Sequence, residues 1–359
     1  MMKSISEQPE AIARALSVGL NADAFHDAFH RRSIHKVWVL GSGTSYFAAQ
    51  IAARAWEAEL GIDCQASSAL EFLDRMAQLQ LNEHVLVLAI SQSGAALTLQ
   101  SVFRQVREAG ALTAIVTAFP GAATSSEAEF VVETHTGVEQ NMGKTKGFTT
   151  STLVAVMLGR RLALPLGTEG DASLWERHKY IPALLNETIG TCLGVVDQWV
   201  DKFRDVQAVL VVGAGAQVAA ASEGALKLLE VAKLPVWSLE LEEAMHGPVN
   251  ALGPSTGVVL VADSVPIPER LSGYVNAIDY VGVPFLKFAT SAAITEGLGR
   301  FDLVLPACED VAVRTIRSVV PFQILAHALS AARGMPIDTA RYPELYKILS
   351  YKSFHKELP

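Results

Sequence analysis

The feature that most constrains how this chain folds is an internal repeat. Twice, a short β-branched apolar run leads into a glycine-containing turn: Val37–Leu40 into Gly41-Ser-Gly-Thr-Ser45, and Ala208–Val212 into Gly213-Ala-Gly215. The two turns lie about 172 residues apart. Two more pairs of apolar runs follow in the same order: Val85–Ile90 with Val258–Ala262, and Phe130–Val132 with Leu303–Leu305. A period this long predicts a duplicated domain rather than a solenoid. Two unrelated domains are the alternative.

The segments between these runs predict the fold class. They are rich in Ala and Leu at helical spacing, and alternation of strands with such segments is typical of an α/β fold, a parallel sheet covered by helices. At 359 residues, the chain is long enough for two domains. We expect residues 1–167 to form the first, with an N-terminal helix, and residues 168–359 to contain linker helices, the second domain and a C-terminal tail.

Composition and charge argue against several classes of protein. No apolar run reaches the ~18 residues of a membrane span, and Glu7, Pro9 and Glu10 interrupt the stretch where an export signal would stand, so a cytoplasmic location is expected. The net charge is −8 without blocks of Lys or Arg, which disfavours nucleic acid and membranes as partners. Three widely spaced cysteines suggest neither disulfides nor a metal site.

Two turns of the first half form a candidate phosphate site. A strand that ends in a small, hydroxyl-rich turn before a helix presents free backbone N–H groups and hydroxyls to one place. Ser91, Gln92 and Ser93 would bind a phosphate, with Gly94 allowing close approach. Gly43, Thr44 and Ser45 follow the neighbouring strand and would contact the rest of the ligand. The second half has Asp263-Ser-Val-Pro266 at the equivalent turn, so one anion site per chain is expected.

The segment Glu139–Thr150 is polar and precedes an apolar helix that we expect to begin near Leu153. Lys146 is a candidate anchor for an anionic ligand, and Met142 is a second candidate contact. A solvated loop with a helix cap is the alternative.

Acid–base groups are found in the second half. Glu223, Lys227 and Glu230 stand at i, i+4 and i+7, which predicts one face of a helix within an apolar segment. A carboxylate near a lysine suits proton transfer. His246, beside Gly247-Pro248, suits acid–base work on a sugar ring oxygen because histidine titrates near neutrality. A supporting ion pair and a structural histidine are the respective alternatives.

Taken together, these motifs resemble the sugar isomerase (SIS) domain family, most closely the isomerase half of glucosamine-6-phosphate synthase and related deaminases and deglycases. The motifs occur in the family's order along nearly the whole chain: Ser6-Glu-Gln-Pro9, Gly43-Thr-Ser45, Ser91-Gln-Ser-Gly94, Thr145-Lys146 with Phe148-Thr-Thr150, Glu223-Gly-Ala-Leu-Lys-Leu228 with Glu230, and His246-Gly-Pro248.

The resemblance implies two flavodoxin-like SIS domains and an aldose–ketose isomerase-type enzyme that acts on a 6-phosphorylated amino sugar or ketosamine. It implies that Glu230 moves a proton between C1 and C2, that Lys227 and Glu223 support it, and that His246 helps to open the ring from a neighbouring subunit. A homodimer is therefore expected, with no metal or organic cofactor. Isomerase, deaminase and deglycase remain open, and a non-catalytic sugar-phosphate sensor is the alternative.

The chain also departs from the family pattern. Ala95-Ala96 replace the usual Glu-Thr, which removes one hydroxyl from the phosphate site, and Met245 replaces a basic residue. The family's C-terminal catalytic lysine corresponds best to Lys347, with Lys352 second. The amidotransferases of the family carry a glutaminase domain ahead of the SIS pair, and this chain starts directly with the SIS helix, so no glutaminase activity is expected.

Overall fold

The structure, a computed structural model, describes residues 1–165 and 170–349, with only the backbone for residues 170, 171, 346 and 347. It contains two parallel five-stranded sheets. The first is built from β1 (Lys36–Gly41), β2 (Asp63–Ser68), β3 (Val85–Ile90), β4 (Leu112–Thr117) and β5 (Phe130–Glu133). The second is built from β6 (Ala208–Gly213), β7 (Val236–Glu240), β8 (Thr256–Ala262), β9 (Phe285–Ala289) and β10 (Leu303–Val304). The α/β class predicted from the sequence is confirmed.

Helices cover the sheets. In chain order they are α1 (Met2–Ser6), α2 (Gln8–Val18), α3 (Asp23–Arg31), α4 (Thr44–Leu60), α5 (Ala69–Arg75), α6 (Leu97–Glu108), α7 (Lys146–Ala163), α8 (Gly170–His178), α9 (Ile181–Leu193), α10 (Val196–Phe203), α11 (Val218–Lys227), α12 (Leu241–Met245), α13 (Pro268–Val281), α14 (Val311–Arg317), α15 (Val320–Ala332) and α16 (Leu345–Leu349). A π-helical turn, Leu228–Ala232, continues α11. Short 3₁₀ turns include Gly215–Gln217 and Pro248–Ala251.

Both sheets have the same strand order. The first runs β2-β1-β3-β4-β5 and the second runs β7-β6-β8-β9-β10, which is the 2-1-3-4-5 order of flavodoxin in each case. The two strand-to-helix turns also agree in detail. A Cβ atom on Gly41 would lie 2.2 Å from the Ser45 carbonyl oxygen, and one on Gly213 would lie 2.7 Å from the Gln217 carbonyl oxygen. This topology supports the repeat inferred from the sequence.

The contacts divide the chain into two compact units. The first-sheet unit comprises the described residues of Glu10–Glu139, 146–165, 170–180 and 342–349. The second-sheet unit comprises Ile181–Arg341 together with Met1–Pro9 and Gln140–Thr145. The predicted boundary between residues 167 and 168 lies outside the described residues and stays a prediction.

Each sheet is packed as the hydrophobic patterns require. In the first-sheet unit, Trp56 on α4 is fully buried against α7, where its Nε1 donates to the Ala155 carbonyl at 2.7 Å. A Cβ on Gly159 would lie 2.4 Å from the Trp56 ring, so this glycine allows the two helices to pack closely. Among the described helices, none is long and apolar enough to cross a membrane.

The structure corrects one helix boundary. The sequence predicted a helix starting near Leu153, whereas α7 begins at Lys146, and residues 146–153 are buried. The physical reason is a cap: the backbone N–H of Gly147 donates to Oε2 of Glu139 at 2.8 Å, which satisfies one of the orphan donors of the first helical turn.

Candidate functional site

The turn after β3 is held in shape by backbone hydrogen bonds. The N–H of Ser91 donates to the Val116 carbonyl at 3.0 Å, and the N–H of Gly94 donates back to the Ser91 carbonyl at 3.1 Å. Gly94 has a φ of +57°, and a Cβ there would lie 2.7 Å from the Ala122 Cβ. This position therefore requires glycine on two counts. Ser91 is buried, while Gln92 and Ser93 are half-buried.

The turn after β1 lies beside it, because β1 and β3 are neighbours in the sheet. Gly43 has a φ of +56° and starts α4, whose first turn carries Thr44 and Ser45, both half-buried. The two predicted turns thus lie at the same carboxyl edge of the first sheet, where parallel sheets bind ligands. A helix follows each turn, α4 after the first and α6 after the second, and the N-terminus of a helix favours an anionic ligand.

Gln92 also packs against the start of α7. A Cβ on Gly147 would lie 2.4 Å from Nε2 of Gln92, so the glycine makes room for this amide. Lys146, the predicted anion anchor, precedes Gly147 and is 6% exposed. Glu139 and Gly147 were not among the predicted site residues. The sequence does contain one signal for Glu139, since an acidic residue stands seven positions before the start of a buried helix.

In the second-sheet unit, Lys227 joins two carboxylates. Its Nζ lies 3.2 Å from Oε1 of Glu223 and 2.6 Å from Oε2 of Glu230. Lys227 and Glu223 are fully buried, while the Glu230 side chain is 29% exposed. The sequence prediction that the three groups share one face is confirmed by these contacts. One carboxylate of the trio reaches the surface.

The electrostatics of the trio keep Lys227 charged. Burial alone would lower the pKa of Lys227, but the charges of Glu223 and Glu230 and their hydrogen bonds outweigh it, so the pKa lies above its ordinary value of 10.5. A permanent ammonium group therefore stands within hydrogen-bond distance of the half-exposed Glu230 carboxylate.

Glu230 does not lie on an α-helix. α11 ends at Lys227, and Glu230 is in the π-helical turn Leu228–Ala232. π-Helical turns are rare and often occur at functional sites. The three residues are in contact as their spacing predicted, but the π-helical turn was not predicted from that spacing.

Lys233 closes this turn. It has a φ of +56°, which is uncommon for a residue with a side chain, and its N–H donates to the Leu228 carbonyl. Its Nζ folds back and donates to the Glu230 carbonyl at 2.5 Å. Burial and the nearby Arg341 lower the pKa of Lys233. This role was not predicted, because no local sequence pattern marks a lysine with a positive φ.

The segment Gln140–Thr145 packs on the same turn. A Cβ on Gly143 would lie 2.7 Å from Cγ2 of Val231 and 3.8 Å from Oε2 of Glu230. Met142, a predicted substrate contact, precedes this glycine and is half-buried. Gly143 is a further residue that the sequence analysis missed.

His246 stands apart from the trio. It directly follows the last residue of α12, its side chain is 70% exposed, and its Nε2 lies 3.2 Å from Oε1 of Glu242. Nε of Arg270 lies 3.3 Å from the other oxygen of Glu242. In the described part of the chain, no hydrogen bond or ion pair joins His246 to Glu230. Within one chain, therefore, the histidine is presented to the surface.

The C-terminal candidates are not placed. Lys347 lies in α16, but its side chain is outside the described residues, and Lys352 is outside them entirely. Residues 1–165 and 170–349 contain no cluster of three or more His, Cys, Asp or Glu side chains that could hold a metal ion.

Comparison with known proteins supports the resemblance. Residues 32–161 match the SIS domain family, so the first repeat contains a SIS domain. The chain is 29% identical over 353 residues to the isomerizing glutamine–fructose-6-phosphate aminotransferase of Pseudomonas putida. That match covers 95% of this chain and 57% of the relative, so the chain spans just over half the length of the curated relatives that it matches.

Two solved structures have a similar fold. The C-terminal domain of glucosamine-fructose-6-phosphate aminotransferase from Francisella tularensis has a TM-score of 0.82 at 24% identity, covering 95% of this chain and 98% of that one. The glucosamine-6-phosphate deaminase of Thermotoga maritima has a TM-score of 0.75 at 19% identity, covering 94% and 96% respectively. At these identities the likeness concerns the fold.

Proposed function

We propose that this protein is a phosphosugar isomerase or deaminase-type enzyme that acts on a 6-phosphorylated amino sugar or ketosamine by proton transfer between C1 and C2. The observation that carries the proposal is the trio of Glu223, Lys227 and Glu230, in which a buried ammonium supports a half-exposed carboxylate. Burying a charged trio is costly, and removing one partner would leave an uncompensated buried charge. A half-exposed carboxylate that a buried ammonium holds in place suits the role of a general base.

In the proposed reaction, Glu230 takes the proton from C2 of the open-chain aldose and returns it to C1 of the resulting enediol or enamine. The reverse direction uses the same steps. One carbon loses a proton and its neighbour gains it, while a second proton moves between the heteroatoms on the same two carbons, so the isomerisation needs no external oxidant or reductant. In the deaminase or deglycase branch, the product is an imine, and one water molecule hydrolyses it to release the amine. Lys227 holds the carboxylate in place, because its Nζ lies 2.6 Å from Oε2 of Glu230.

We assign phosphate binding to the turn Ser91–Ser93, and contacts to the sugar hydroxyls to Gly43, Thr44 and Ser45. The turn after β3 combines hydroxyls, backbone N–H groups and a helix start, which together bind phosphate. Lys146 and Met142 are assigned as further ligand contacts. Lys347 remains our candidate for the C-terminal lysine.

His246 is proposed to act in a homodimer. Its side chain is exposed within the chain and hydrogen-bonded only to Glu242 among the described residues. A histidine presented to the surface in this way is suited to complete the site of a second copy. There it would transfer the proton that opens the sugar ring.

A sugar-phosphate sensor is the second candidate function. Ala95 and Ala96 follow Gly94 and provide no side-chain hydrogen bond to a phosphate, which favours weaker or different ligand binding. A sensor, however, has no need for the charged trio. Turnover separates the two candidates directly.

The test is incubation of the purified protein with glucosamine 6-phosphate, with fructose 6-phosphate plus ammonia, and with fructosyl-amino-acid 6-phosphates. Sugar interconversion and released amine are followed together. Turnover of any one supports the enzyme and identifies its branch. Tight binding of a sugar phosphate without any turnover would refute the enzyme and favour the sensor.

A further inference from the structure

The second sheet carries a buried carboxylate at its carboxyl edge. Asp263, in the turn after β8, is 3% exposed. Its Oδ1 accepts from the Ser264 N–H at 2.8 Å and from the Thr290 hydroxyl at 3.0 Å. Its Oδ2 accepts from Nε2 of Gln217 at 2.9 Å and from Nε of Arg314 at 3.1 Å. Two donors serve each oxygen.

These donors come from four different segments of the second-sheet unit. Gln217 follows β6, Ser264 follows β8, Thr290 follows β9, and Arg314 is on α14. Convergence of a guanidinium, an amide, a hydroxyl and a backbone N–H on two oxygens is the donor set by which proteins bind oxyanions. In this unit, the oxyanion that these donors bind is the carboxylate of Asp263.

The location corresponds to the predicted phosphate site of the first sheet. The repeat pairs β3 with β8, so the turns after these strands occupy the same place in the two sheets. Gln217 stands four residues after Gly213, as Ser45 stands four residues after Gly41. The two edges differ in access, since Gly43 is exposed, whereas a Cβ on Gly215 would lie 2.5 Å from the Ser264 carbonyl oxygen.

We propose that the second sheet has an oxyanion site equivalent in position to that of the first, and that the carboxylate of Asp263 fills it permanently. Arg314 is held ready independently of Asp263, because its Nη1 donates to the Cys308 carbonyl at 2.7 Å. Gln217 is fully buried, and its Oε1 has no hydrogen-bond partner among the described residues. Nε2 of Gln217 also donates to the Thr315 hydroxyl at 3.4 Å, so both side-chain donors keep a second partner when the carboxylate is absent. A small carboxylate ion is therefore expected to bind in place of the missing side chain.

The test is chemical rescue of Asp263→Ala by sodium formate. This substitution removes the carboxylate and leaves Arg314 without its anion. Thermal unfolding is measured against formate concentration, with sodium chloride at the same ionic strength as reference. Formate is expected to raise the midpoint of the variant by several degrees more than chloride does, with saturation. The wild-type protein is expected to show a smaller difference between the two salts.

Two controls make the result specific. Asp263→Asn keeps the site filled and is expected to gain nothing from formate. Asp263→Ala with Arg314→Met removes both charges, so it should fold without formate and not respond to it. The proposal would be overturned if formate raised the unfolding midpoint of Asp263→Ala no more than chloride does. It would also be overturned if Asp263→Ala stayed unfolded in formate while the double variant folded.

Discussion

Nζ of Lys227 lies 2.6 Å from Oε2 of Glu230, and the lysine is fully buried while the carboxylate is 29% exposed. The pair thus connects the interior of the second-sheet unit to its surface. Glu223 is also fully buried, and its Oε1 lies 3.2 Å from the same Nζ. Two carboxylates share one ammonium, and of the three side chains Glu230 is the one that solvent reaches.

Replacing Glu230 by Gln is expected to abolish turnover and spare ligand binding. The amide keeps the size of the side chain but cannot take a proton from carbon, and general acid–base groups contribute about 10²–10⁴-fold to rate. The measurement is kcat with the best phosphosugar substrate, together with its Kd by calorimetry.

Glu187→Gln is the matched control for this substitution, since Glu187 is exposed on α9 of the same unit. It should behave as wild type. A Glu230→Gln variant with full activity would contradict the proposed base.

Replacing Lys227 by Met is expected to destabilise the protein by about 3–5 kcal/mol, because two carboxylates lose their shared cation and one of them is buried. The measurement is urea unfolding followed by circular dichroism. Combining Lys227→Met with Glu223→Gln should reduce the loss, since no buried charge then lacks a partner. A double variant less stable than Lys227→Met would contradict the pairing.

The stability from Lys227 should also depend on pH in one direction. Its pKa in the folded state is raised above 10.5, so the folded protein holds this proton more tightly than the unfolded chain does. The contribution is therefore fully present below 10.5 and is lost as the pH rises through the folded value. Urea unfolding at about pH 9 and about pH 11.5 should show a larger fall for wild type than for Lys227→Met.

Features set by local pattern were predictable from the sequence. The turns after β1 and β3 were found because an apolar run that ends in Gly and Ser is visible in the chain itself, and the contacts of Lys227 were found because helical spacing is regular. Strands β2 (Asp63–Ser68), β7 (Val236–Glu240) and β9 (Phe285–Ala289) were not predicted. β2 has no continuous apolar run, and β9 contains Lys287, whose Nζ lies 3.7 Å from Asp279 and over the Phe285 ring.

Features set by contacts between distant segments were not predictable. The start of α7 at Lys146 depends on the cap from Glu139, and the polar residues around it are typical of a loop. The close approach of Gly143 to Val231 joins segments almost ninety residues apart. Spacing within one segment says nothing about such contacts, because tertiary packing overrides local preference.

Gly143→Ala is expected to lower kcat about tenfold to hundredfold. The added Cβ would lie 2.7 Å from Cγ2 of Val231, closer than atoms tolerate, so the π-helical turn or the segment around Met142 must shift. Displacements of this size can misplace a catalytic group at that cost. Val231→Ala, added to Gly143→Ala, removes the clashing methyl and should restore part of kcat. If kcat did not recover, the loss in Gly143→Ala would not arise from the clash with Val231.

Ser91→Ala combined with Ser93→Ala is expected to weaken binding of phosphate esters roughly 10- to 100-fold, because two hydroxyl hydrogen bonds of about 1 kcal/mol each are lost. The measurement is calorimetry with the phosphorylated sugar and with the same sugar lacking phosphate. Only the binding of the phosphorylated sugar should weaken. Ser101→Ala, at an exposed position on α6, is the control. Unchanged affinity of the double variant would refute the phosphate assignment.

Mixing two inactive variants tests whether His246 serves a second copy. In a homodimer with shared sites, Glu230→Gln still supplies a wild-type histidine, and His246→Ala still supplies a wild-type base. A mixed dimer then contains one complete site out of two, and random exchange makes half of the dimers mixed. An equimolar mixture, unfolded and refolded together, should therefore regain about a quarter of wild-type activity. If His246 acted within its own chain, every site would lack one group, and the mixture would stay as inactive as its components.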